Sequence, residues 1–148
     1  MAATIKTISD ALISRLASSV TGLDSARVAA FSGSLEELAQ AGRNLPFAGV
    51  SLSEARYGSL NTDNSLAEEH LTFRITVLAE DFRGRRYSLE NTYGLVDGIR
   101  DALLGETLGL AGIAPFSIKN CIKSRDYEKE GLTVYEVEVA TWRVVQQT

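Results

Sequence analysis

At 148 residues, with 45% hydrophobic and 23% charged side chains, the chain has the size and composition of one globular domain and excludes an intrinsically disordered segment. Its net charge of −4 gives no global support to a sequence-independent grip on nucleic acid, which needs a basic face. The single cysteine, Cys121, rules out an internal disulfide and, with no Asn-x-Ser/Thr sequon present, points to assembly in a reducing cytoplasm, while no run approaches the roughly 18 apolar residues of a membrane span.

Ile8, Leu12, Leu16 and Val20 recur every four residues with Ile13 beside them, which predicts an amphipathic helix over 7–20 capped by Thr7 or Ser9. The short apolar run "ARVAAF" reads as a strand ahead of a turn at Gly33. Ser34 and Glu37 have the spacing of a capping box, so a short helix is expected to end near Gly42. Val50, Leu52 and Tyr57 suit a strand that starts after Pro46, and "SLNTDNSLAEE" reads as a polar loop.

The clearest strand is "HLTFRITVLAEDF", where Leu71, Phe73, Ile75, Val77 and Ala79 alternate with His70, Thr72, Arg74, Thr76 and Glu80. "RGRRYS" breaks that period as a solvated turn, and Leu89, Tyr93, Val96, Ile99 and Leu103 then predict a helix with Ser88 as its N-cap. That helix contains Gly94 and Gly98, four residues apart, where another backbone could come close. Gly105 falls where a left-handed cap belongs, and Gly109 and Gly112 loosen the exit. A phosphate cradle needs its glycines before a helix, and here most lie within or after it.

"IAPFSIKNCI" and "LTVYEVEVATWRVV" predict two strands joined by the charged link "KSRDYEKEG". On the last strand Val134, Glu136, Glu138, Ala140, Trp142 and Val144 share one face, and Tyr135, Val137, Val139, Thr141 and Val145 form the better core face. Residues 1–148 therefore read as a single α+β domain, a mainly antiparallel four- to five-stranded sheet with helices packed on one face.

Reactive chemistry is sparse. His70 is the only histidine, so any His–Cys or His–carboxylate pair must use it with Cys121 or a nearby acid, and nothing local supports that. His70 reads as a surface or interface histidine and Cys121 as a small buried apolar residue. One histidine and one cysteine cannot build a structural zinc site, and the acid pairs Glu36–Glu37, Glu68–Glu69 and Glu80–Asp81 read as caps or as strand neighbours pointing to opposite faces. No phosphate-binding glycine fingerprint and no Gly-x-Ser-x-Gly elbow occurs, so no catalytic residue, cofactor or metal is expected.

What remains is a candidate interface. Arg83, Arg85 and Arg86 form the one concentrated basic patch, suited to bidentate contact with carboxylates, and Glu136, Glu138 and Trp142 form a partly apolar acidic face. Patches of opposite sign on one small chain fit a head-to-tail ring.

The helix "ISDALISRL", the strand "LTFRITVLAED" with "RGRR" after it, the helix "YGLVDGIRDALLG" and the closing "GLTVYEVEVATWRV" together resemble the tail terminator family of Mu-like contractile-tailed phages. The resemblance covers most of residues 7–145. It implies a non-enzymatic virion protein that forms a hexameric ring on the last ring of tail tube, stops tube and sheath growth, and joins the tail to the head–tail connector. It also implies assembly in the host cytoplasm and DNA passing through the lumen without specific binding, which six copies at −4 each, about −24 in all, would favour. Another head–tail connector or neck protein is the neighbouring alternative. A small α+β enzyme or ligand-binding domain is the alternative from a different class.

Overall fold

A computed structural model describes residues 3–34, 36, 37, 41, 45–80, 85–124 and 132–146, with the side chains of 80, 85–91 and 132 outside that description. Helix α1 (Ile5–Ser19) leads into strand β1 (Val28–Ala30), then β2 (Phe47–Ser59), β3 (Leu66–Glu80), helix α2 (Arg85–Leu103), β4 (Ser117–Ser124) and β5 (Leu132–Gln146). The sheet order is β1-β2-β3-β5-β4. Only the β1–β2 pair is parallel, and the other three pairs are antiparallel. The expected α+β architecture is therefore the observed one.

Alternation decides which face is buried. Leu71, Phe73, Ile75 and Val77 on β3 and Val137 and Val139 on β5 are buried beneath Ile8, Leu12 and Leu16 of α1 and Leu95, Ile99 and Leu103 of α2. The last strand thus buries the face that its residue pattern favours. The opposite face differs from expectation at one end, where Leu78 and Val134 are buried in a second small cluster with Phe31, Ala41 and Phe47. The chain returning from β1 to β2 brings those side chains across, which a strand's own period cannot foretell.

Several boundaries move. Thr4, in extended conformation, caps α1 by accepting the Thr7 N–H at 3.1 Å, so the cap precedes both expected residues. Glu37 N–H donates to Ser34 Oγ at 3.2 Å, the forward half of the capping box. Its carboxylate instead accepts from the Ser32 N–H at 2.8 Å and from the Ser32 hydroxyl, which holds the Glu37 pKa below its ordinary value. The remainder of the predicted helix towards Gly42 lies outside the described residues, apart from helical Ala41.

The expected polar loop shrinks to residues 60–65, because Ser59 pairs with Ala67 and both strands continue up to that turn. Leu66, Ala67, Glu68 and Glu69 are strand residues. Helix α2 already starts at Arg85, so Ser88 lies inside it and is not its N-cap, and Arg85 and Arg86 belong to the helix instead of a turn. Gly105, at φ +76°, turns the chain after α2 and donates its N–H to Phe116 O at 2.9 Å.

The two helical glycines part company. A Cβ on Gly98 would meet Val20 Cγ1 at 2.9 Å, whereas one on Gly94 would meet nothing within 4 Å. Gly98 is thus where α2 seats the end of α1, and Gly94 is open. Gly94→Ala is expected to stabilise the fold by up to about 1 kcal/mol through helix propensity alone. Gly98→Ala should give no such gain, because Val20 must shift, and thermal melts of the two variants check the contrast.

Candidate functional site

On the face of the sheet away from the helices Arg56, His70, Trp142 and Val144 are exposed. Register places Arg56, His70 and Trp142 in one cross-strand row on β2, β3 and β5. His70 and Trp142 stack with ring centroids 6.1 Å apart and planes at 26°, and His70 Nε2 lies 3.1 Å from Glu68 Oε1. Arg56 Nε lies 3.3 Å from Glu54 Oε1. With Pro115, Ser117 and Lys119 this row lines a shallow cavity of about 380 Å³. Trp142 is 45% exposed there, a large apolar surface left in water by a small domain.

Further along the same face Arg74 sits between the two acids predicted for the interface. Its guanidinium nitrogens lie 3.7 Å from Glu136 Oε2 and 3.5 Å from Glu138 Oε1. Arg74 Nε is itself buried with no hydrogen-bond partner among the described residues. The acidic strand is thus half neutralised within its own subunit, which softens its field as an isolated negative patch.

The structure brings Glu136, Glu138 and Trp142 together on one face of β5. Arg83 lies outside the described residues, and Arg85 and Arg86 open α2 with their side chains outside the description. The candidate nucleophile and base do not meet: His70 pairs with Trp142 on the open face, while Cys121 pairs with Val137, whose side chain belongs to the opposite, core face. Cys121 is exposed, against the expectation of a buried residue, on β4, the last strand in the sheet order. Partial desolvation still pushes its thiol pKa up, so thiolate is scarce at neutral pH. Among the described residues no three His, Cys, Asp or Glu side chains converge as metal ligands.

Sequence reasoning passed over a buried ion pair. Arg143 Nε donates to Glu69 Oε1 at 2.7 Å, with the side chains only 10% and 6% exposed. A second guanidinium nitrogen donates to the carbonyl of Ala3, and Tyr57, opposite Glu69 on β2, has its phenol pKa raised by the hydrogen bond to that carboxylate. The signal was strand parity: Arg143 follows Thr141 and Glu69 precedes Leu71 on the core face. This assembly ties the start of the chain to the distal end of the sheet.

The class defined by these features is an α+β fold with α1 and α2 on one face of a five-stranded sheet and exposed polar and apolar side chains on the other. No helix among the described residues is long and apolar enough to cross a membrane. Neither a family model nor a curated protein matches the chain. Among solved structures it is similar to a chain of "Virion of native gene transfer agent (GTA) particle", with a TM-score of 0.59 and 20% identity over 93% of each chain. At that identity the likeness is one of fold.

Proposed function

We propose that this chain is a structural protein of a phage-like virion and, within it, the tail terminator: a homo-oligomeric, hexameric ring that caps the tail tube and sheath and presents a surface to the head–tail connector. The observation that carries the reading is the shared fold, end to end, with a chain of a gene transfer agent virion. Two features of the chain support it. The open face offers Trp142 with Glu136 and Glu138 as a contact surface, and the chemistry-bearing residues His70 and Cys121 lie on opposite faces of the sheet. Arg83, Arg85 and Arg86 are the proposed basic counterpart to that acidic strand. The net charge of −4 per subunit suits a lumen through which DNA slides without being held.

The test is assembly. Purified protein mixed with tail tubes from the particles that carry it is expected to form rings at tube ends in negative-stain images, and its native mass should report the subunit number. Monomers that never cap a tube would sink the reading, and labelled protein found elsewhere in the neck would move it to a connector role. Assembly that survives joint replacement of His70 by Ala and Cys121 by Ser would separate it from the enzymatic alternative.

A further inference from the structure

We draw no further inference here: the strongest candidate, the shallow cavity lined by Arg56, His70, Lys119 and Trp142 on the sheet face away from the helices, carries nothing, because Arg56 and His70 already face Glu54 and Glu68 and nothing in the structure shows what covers it.

Discussion

Arg143→Ala is expected to lower unfolding free energy by about 3–5 kcal/mol, a large part of the roughly 5–15 kcal/mol that holds a domain together. The change would strand the Glu69 carboxylate, 6% exposed, beside a core that offers it no other cation among the described contacts, and would orphan the carbonyl of Ala3. The pair itself is a different matter, because desolvating both ions offsets much of their attraction. A joint Glu69→Leu, Arg143→Met variant should therefore be far closer to the parent than either single change. Urea midpoints for the four proteins form a double-mutant cycle; equal losses in the single and joint variants would show that the pair matters only as packing. Because Ala3 is held by the same guanidinium, Arg143→Ala should also expose the α1 amides that follow it to faster hydrogen exchange.

Gly49→Ala is expected to cost about 3 kcal/mol, the upper part of the range for forcing atoms into a packed interior. A Cβ there would stand 2.2 Å from Phe31 Cβ and 2.5 Å from its Cγ. Phe31 cannot swing aside, since its Cβ is fixed to the backbone of the segment whose N–H bonds Val50 O at 3.1 Å, and its ring meets Phe47 edge-on at 5.8 Å. β1 would have to lift from β2. The discriminating control is Phe31→Ala, which keeps the offending Cβ and so should fail to rescue Gly49→Ala; rescue would mean that the ring, not the backbone, sets the limit. Urea unfolding reads both.

The helices, the two long strands and the hairpin were legible because each carries its own period. Ile8, Leu12 and Leu16 repeat along one helical stripe, and Leu71, Phe73, Ile75 and Val77 alternate along one strand. Such patterns depend on which side of an element faces water, a property of neighbours in sequence. The candidate interface was legible to the extent of Glu136, Glu138 and Trp142 sharing a face, for the same reason. Arg74 between the two acids and His70 stacked on Trp142 were not, since each contact spans two strands far apart in the chain.

Gly94 and Gly98 make the division plain. Four-residue spacing marked both as places of close approach, and only Gly98 has a neighbour, Val20. By itself the sequence determined the element types, the α+β class, the buried faces of β3 and β5, and the scarcity of reactive groups. The tertiary structure decided the strand order, with β5 between β3 and β4, the parallel β1, the second cluster around Leu78 and Val134, and the burial of Arg143 against Glu69. Those depend on which distant segments meet, and a local period of two or of 3.6 residues records only that a face is covered, never by what.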